Sequence, residues 1–133
     1  GGADPGPINL GYIVSSVKYD VATVNKENFQ THAGIRRNRV TVNAGTYDLL
    51  ATDDIVHVTY TGTAAVTSLT LPTAQVVDGR TIVIKDAGGN AGTNNITIDT
   101  EGAETIDGLA TLEINTDDDS YTLYSDGSNW FVI

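Results

Sequence analysis

The chain has 133 residues, the length of a single domain, and its lack of cysteine excludes disulfides, thiolate nucleophiles and cysteine-ligated zinc. Its formal net charge of −10 repels the phosphates of nucleic acids, and it has no run of about 18 apolar residues. We therefore expect an acidic domain with no nucleic-acid partner and no membrane insertion.

The charge is divided unevenly along the chain. Residues 1–45 carry five basic and three acidic side chains, whereas residues 46–133 carry two basic and fourteen acidic ones. The only basic cluster consists of Arg36, Arg37 and Arg39. Because arginine forms bidentate hydrogen bonds with carboxylates, we expect these three residues to form an attachment or interface site. The alternative is an ordinary solvated surface.

The N-terminal third is poor in regular structure. Residues 1–11 combine four glycines with two prolines and predict an extended arm. Residues 12–24 alternate loosely and predict one or two strands, which could pair with another subunit. Residues 25–34 predict a helical turn capped by Asn25 and ended by Gly34.

From residue 46 onward, apolar and polar residues alternate between clusters of Gly, Asn and Asp. This pattern predicts eight strands, at 46–51, 55–60, 66–71, 80–86, 95–99, 109–115, 120–125 and 129–133. Short strands at this spacing are typical of an antiparallel β-sandwich, here jelly-roll-like. The sequence thus predicts an all-β domain over residues 46–133, preceded by an extended N-terminal arm over residues 1–45. The two Ile-x-Ile motifs, at 82–84 and 96–98, predict neighbouring strands.

The end of the chain predicts a hairpin that closes the fold. Asp126-Gly127 is a strong turn signal within residues 121–133. A two-residue turn would place Trp130 opposite Leu123, with Val132 on the same face.

The other face of this hairpin is also apolar, since it carries Tyr124 and Phe131. A strand with apolar residues on both faces is expected to be covered on both. We therefore expect Phe131 and Ile133 to be buried at a subunit interface.

No catalytic constellation emerges from the sequence. The only histidines are His32 and His57, and His57 alternates with apolar residues on the polar face of a predicted strand. The carboxylates fall mostly in turns, where they bond their own backbone. The acidic triplet 117–119 lacks the spacing of a calcium loop. We expect no enzyme activity, no cofactor and no metal.

A saccharide site is the ligand-binding hypothesis. The flat ring of Trp130 would suit a sugar face, and the alternative is a core side chain. Loops 86–95 and 116–119 would supply polar groups. The candidate ligand-binding residues are Tyr124, Trp130, Asn90 and Asp118.

The amino-acid sequence of the C-terminal part is similar to that of a known family. TIVIKDAGGNAGTNNITIDTEGAETIDG (81–108) and YTLYSDGSNWFVI (121–133) resemble the C-terminal β-domain of tail fibres, tailspikes and other virion-surface proteins of tailed phages. The resemblance covers about residues 50–133, and residues 1–45 match no pattern.

The resemblance implies a structural protein on the virion surface rather than an enzyme. Such modules are typically trimers that recognise the host or decorate the particle. Implied partners are further copies of the chain, capsid or tail proteins contacted through the arm, and host cell-surface saccharide. The alternatives are a capsid decoration or head-fibre protein with a purely stabilising role, and a component of a glycan depolymerase.

Overall fold

The chain falls into two compact units, Gly1–Arg36 and Arg37–Ile133. The structure, a computed structural model, describes residues 22–24, 29–31, 34–62 and 67–133.

The first unit contains a short antiparallel hairpin of β1 (Ala22–Val24) and β2 (Phe29–Thr31). The predicted helical turn over residues 25–34 is therefore wrong at β2. Phenylalanine and threonine favour extended backbone, and pairing with β1 satisfies the backbone groups that a helix would otherwise bond. The predicted extended segment 1–11 and His32 lie outside the described residues.

The second unit consists of strands and one short 3₁₀ turn (Thr73–Gln75). The strands are β3 (Arg39–Val42), β4 (Thr46–Asp48), β5 (Ile55–Val58), β6 (Thr67–Leu71), β7 (Thr81–Asp86), β8 (Ile96–Thr100), β9 (Thr111–Ile114), β10 (Ser120–Ser125) and β11 (Trp130–Val132). The all-β prediction is confirmed, and each of the eight strands predicted from residue 46 onward is present. The additional strand β3 comes from the segment predicted as arm.

The strands form two sheets that enclose one core. The five-stranded sheet has the order β11-β10-β7-β5-β3, and the four-stranded sheet has the order β4-β6-β8-β9. From β3 to β8 the chain alternates between the two sheets, so successive strands within one sheet are parallel. Strands β9, β10 and β11 then add antiparallel at one side of each sheet. The architecture is a sandwich-like pair of mixed sheets.

Two expectations about pairing need correction. The sheets are not antiparallel throughout, since β3, β5 and β7 are parallel neighbours, as are β4, β6 and β8. The Ile-x-Ile motifs 82–84 and 96–98 lie in opposite sheets instead of neighbouring strands. Alternation with period two reports which side chains point inward, and it contains no information about which strand lies alongside.

The core is formed by the inward-facing positions of both sheets. Ile82 and Ile84 of β7 and Leu69 and Ile98 of the other sheet have no exposed surface. Burying an aliphatic side chain of this size stabilises the fold by about 1.5–3 kcal/mol relative to leaving it exposed. The same alternation that predicted the strands therefore also supplies the core.

The closing hairpin has a longer loop than predicted. β10 and β11 pair Leu123 with Val132 and Ser125 with Trp130, so the prediction that Trp130 is opposite Leu123 is wrong. The connection is a four-residue loop in which the Asp126 carboxylate accepts hydrogen bonds from the backbone N–H groups of residues 128 and 129, each at 2.8 Å. The side chain of Asp126 thus favours this loop over a two-residue turn.

The outer edge of β11 is covered by a neighbouring loop. The N–H of Trp130 donates to the carbonyl of Thr105 at 2.8 Å, and the N–H of Asp107 donates to the carbonyl of Trp130 at 3.0 Å. The Asn129 side chain accepts from the N–H of Thr105 at 2.8 Å. These bonds satisfy groups that an open sheet edge would leave available for pairing with another chain.

Candidate functional site

The four candidate ligand-binding residues do not converge on one site. Trp130 has no exposed surface and is part of the core, so it cannot stack on a sugar. Asn90 and Asp118 lie in adjoining loops near the Ser120 end of β10, whereas Tyr124 lies near its other end. Four residues of strand separate the two ends by about 13 Å.

The glycine-rich loop and the acidic turn are held together by Asp86, the last residue of β7. Its side chain is 2% exposed. Its carboxylate accepts five backbone hydrogen bonds of 2.9–3.2 Å, from the N–H groups of Gly88, Gly89, Asn90, Ala91 and Asp118. Charged acceptors form stronger hydrogen bonds than neutral ones, so this carboxylate fixes both loops to the end of the sheet.

The surroundings of the Asp86 carboxyl favour its ionised form. Burial alone would raise its pKa, but the hydrogen bonds from the N–H groups of Ala91, Asp118, Asn90 and Gly88 outweigh burial and lower the pKa below the usual value. The carboxylate is therefore part of the folded structure rather than a group poised to exchange a proton.

We call the Asp86 carboxylate with its five backbone donors the Asp86 clamp. Asn90 and Asp118 contribute to this clamp through their backbone N–H groups. Asn90 also accepts hydrogen bonds at its carbonyl from residues 93 and 94, and its side-chain Nδ2 is buried. Asp118 has a positive φ of 62°, and its carbonyl accepts a hydrogen bond from the Lys85 ammonium. The sequence suggested Asn90 and Asp118 as saccharide contacts. In the structure, both residues stabilise the conformation of their loops.

A second buried carboxylate, Asp53, shapes the turn between β4 and β5. It accepts hydrogen bonds from the Tyr47 hydroxyl at 2.7 Å and from the N–H of Leu50 at 2.8 Å. Burial of the phenol, followed by this hydrogen bond and the negative charge of Asp53, raises the pKa of Tyr47 to about 12. The Arg80 guanidinium bonds the carbonyls of residues 50, 51 and 53. This cluster stabilises a turn.

An open groove of about 440 Å³ lies beside this turn. Its lining includes Asp54, Gln75, Asp78 and Arg80. Because the Arg80 guanidinium is already bonded to three backbone carbonyls, the cation in this groove acts on the protein rather than on a ligand.

The most distinctive surface is the outer face of the five-stranded sheet. Its residues alternate with buried core residues along each strand and lie side by side across the sheet. They are the apolar and aromatic residues Ile55, Val83, Tyr124 and Phe131, the basic residues Arg39, His57 and Lys85, and the hydroxyl residues Thr41, Thr81, Ser120 and Thr122. No acidic residue occupies a strand position on this face.

An aromatic pair marks one corner of this face. Tyr124 and Phe131 are cross-strand neighbours whose rings stack with centroids 5.3 Å apart and an interplanar angle of 25°. The guanidinium of Arg37 donates to the carbonyl of Thr81 at 2.9 Å, and Thr81 is the cross-strand partner of Tyr124. The predicted placement of Tyr124 and Phe131 on one face, away from Trp130, is confirmed.

The outer face of the four-stranded sheet has the opposite character. Its strand positions carry Thr46, Asp48, Ser68, Thr70, Thr97, Asp99, Thr111 and Glu113. These side chains are all polar, three are acidic and none is basic. This is the composition expected for a sheet face in contact with water.

The predicted interface residues have different environments. Arg36, Arg37 and Arg39 are exposed, and Phe131 is half-buried in the stack with Tyr124. Ile133 was expected to be buried, yet it is 71% exposed in the single chain.

Sequence reasoning missed Ile55 and Val83, which form the centre of the outer face of the five-stranded sheet. A signal for them was present, because Val83 lies between two further apolar residues in the run Ile82–Ile84 and Ile55 precedes Val56. A continuous apolar run indicates a strand that is covered on both faces, whereas alternation indicates one covered face.

Comparison with models of known protein families found no match, and comparison with curated protein sequences found none either. Within residues 34–62 and 67–133, no group of His, Asp or Glu side chains is arranged to hold a metal ion. In the part of the chain that the structure describes, no helix has the length and apolarity needed to cross a membrane. The surfaces described above therefore carry the functional argument.

Proposed function

We propose that this chain is a structural protein of a tailed-phage particle, exposed on the virion surface as a homotrimeric fibre tip, spike tip or head decoration. The observation that carries the proposal is the outer face of the five-stranded sheet, a surface with apolar, aromatic and basic side chains together. Such a composition suits contact with another macromolecule. The resemblance of residues 50–133 to phage virion domains supports the same role.

In this proposal the N-terminal segment attaches the chain to the particle. Deleting residues 1–36 should leave a folded β domain, because the second unit begins at Arg37 and includes the whole of both sheets. Occupancy on particles should fall to background, measured by quantitative immunoblot of purified virions. A deletion to residue 45 is a poorer test, since it removes β3 from its sheet. Full occupancy of particles by the 37–133 fragment would contradict the attachment role.

A host saccharide is the ligand that the aromatic corner of this face would bind. The stacked rings of Tyr124 and Phe131 offer an apolar platform, and the Arg37 guanidinium beside Thr81 offers hydrogen-bond donors. Tyr124→Ala should weaken binding to host surface polysaccharide by about tenfold, the equivalent of about 1.4 kcal/mol. Isothermal titration would measure this.

The matched control is Phe131→Tyr, which keeps an aromatic ring in the stack and should retain binding. Equal affinity of Tyr124→Ala and the unchanged chain would exclude the aromatic corner as the saccharide site. Particles that lose heat stability but not adsorption when the protein is absent would favour the purely stabilising decoration role. Release of reducing sugar from host polysaccharide would instead favour the depolymerase.

A further inference from the structure

The outer face of the five-stranded sheet differs in charge from the rest of its unit. Arg37–Ile133 contains fourteen acidic and four basic residues. Of the four, Arg39 and Lys85 lie on this face, and Arg37 is bonded at its margin to Thr81. Three of the four basic side chains of this acidic unit therefore lie on or beside one face.

The same face is apolar at its centre. Ile55 and Val83 are cross-strand neighbours in the middle of the sheet, and Thr122 continues their row. Their strands are apolar on the core side as well, which is typical of strands that are covered on both faces. By contrast, the outer face of the four-stranded sheet carries only polar side chains at its strand positions, which is the composition expected in contact with water.

We infer that the centre and the basic side of the outer face of the five-stranded sheet, formed by Arg39, Ile55, Val83 and Lys85, bind an acidic surface of a second copy of this chain, with the aromatic corner at the rim of the contact. This inference rests on the proposed self-assembly and identifies the surface through which it occurs. A second copy supplies the complementary charge, since all fourteen acidic residues of Arg37–Ile133 lie outside the strand positions of this face.

The charge distribution also determines the type of contact. A two-fold contact would bring the same face of each copy together, so two faces that carry basic residues and no acidic residue at their strand positions would oppose each other. Unlike surfaces avoid this repulsion, so the contact is heterologous. Heterologous contacts form a closed ring when the rotation from one copy to the next returns to the first copy. A homotrimer would be such a ring of three copies.

The test is the association state of the full chain in sedimentation velocity over a range of concentrations. Val83→Asp places a carboxylate at the centre of the face and should weaken association by at least about tenfold, because a buried unpaired charge is costly. Arg39→Glu should also weaken association, and raising the salt from about 50 mM to about 500 mM should weaken it for the unchanged chain.

The matched control is Val77→Asp, the same substitution at an exposed valine that lies in neither sheet. It should associate like the unchanged chain, and circular dichroism should show all variants folded. A monomeric unchanged chain, or Val83→Asp and Arg39→Glu that associate normally, would overturn the inference.

These outcomes are separable from failure of the proposed function. If Val83→Asp associates normally while deletion of residues 1–36 still abolishes particle attachment, the interface is wrong and the virion role stands. If Val83→Asp dissociates the copies but the deletion variant still occupies particles, the interface stands and the attachment role is wrong.

Discussion

Asp86→Asn is expected to destabilise the domain by about 3 kcal/mol. The carboxylate accepts hydrogen bonds from five backbone N–H groups, and an asparagine would direct its own N–H₂ group at some of these donors. A buried donor left without an acceptor costs about 1–3 kcal/mol. Two loops would lose their common anchor, so urea unfolding followed by circular dichroism should show a lower midpoint.

The control for this substitution is Asp99→Asn in β8. Asp99 is exposed, and among the described residues its carboxylate accepts a hydrogen bond only from the N–H of the following residue, Thr100. Its replacement should change the free energy of unfolding by less than about 0.5 kcal/mol. Equal effects at Asp86 and Asp99 would show that the clamp contributes nothing beyond a surface turn.

The pH dependence of stability provides an independent measure of the same clamp. The pKa of Asp86 is lowered in the folded protein, so its carboxylate contributes stability above its usual pKa near 3.8. That contribution is lost as the pH falls from about 4 through the lower folded pKa. The difference in stability between the unchanged chain and Asp86→Asn should therefore shrink below about pH 4.

The stability of Asp86→Asn will still decrease in acid, because other carboxyl groups also have lowered pKa values in the folded protein. Hydrogen bonds from the N–H groups of Asn129 and Ser128 lower the pKa of Asp126, and the backbone N–H of Glu104 and its contact with Thr73 lower the pKa of Glu104. Both act in the same direction as Asp86. A difference that is constant from pH 7 to about pH 2.5 would contradict the assigned role of the Asp86 carboxylate.

The strand positions could be predicted from the sequence because they depend on local alternation. In β8, Ile96 and Ile98 alternate with Thr97 and Asp99 at the sheet surface, and the period of two is visible without knowledge of any neighbour. The break at Pro72 likewise marked the end of β6.

Sheet topology could not be predicted in the same way, since it depends on contacts between distant segments. β7 lies between β5 and β10, and nothing in its own sequence distinguishes a parallel neighbour from an antiparallel one. The register of the last hairpin was missed because the Asp126 side chain stabilises a longer loop. The Asp86 clamp was missed because each of its five donors is a backbone N–H, which every residue but proline possesses.

The second large effect is expected for Trp130→Ala, which should destabilise the domain by about 3–5 kcal/mol. Trp130 is the largest side chain that is fully buried, and it lies where β11 meets the loop that covers its edge. Alanine keeps the backbone hydrogen bonds to Thr105 and Asp107. The loss therefore comes from the cavity left in the core, and circular dichroism in urea would measure it.

Phe131→Ala is the matched control, since it removes an aromatic ring from the next residue of the same strand. Phe131 is half-buried on the outer face, where its ring stacks on Tyr124, so its loss should cost only about 1–2 kcal/mol in the single chain. The destabilisation caused by Trp130→Phe should lie between those of Trp130→Ala and Phe131→Ala. The indole Nε1 is buried with no acceptor among the described residues, so its removal breaks no hydrogen bond. If Trp130→Ala and Phe131→Ala were equally destabilising, the closing strand would not have the inward and outward faces assigned here. A larger effect at Trp130 would instead show that this strand completes the core with the face that carries Trp130.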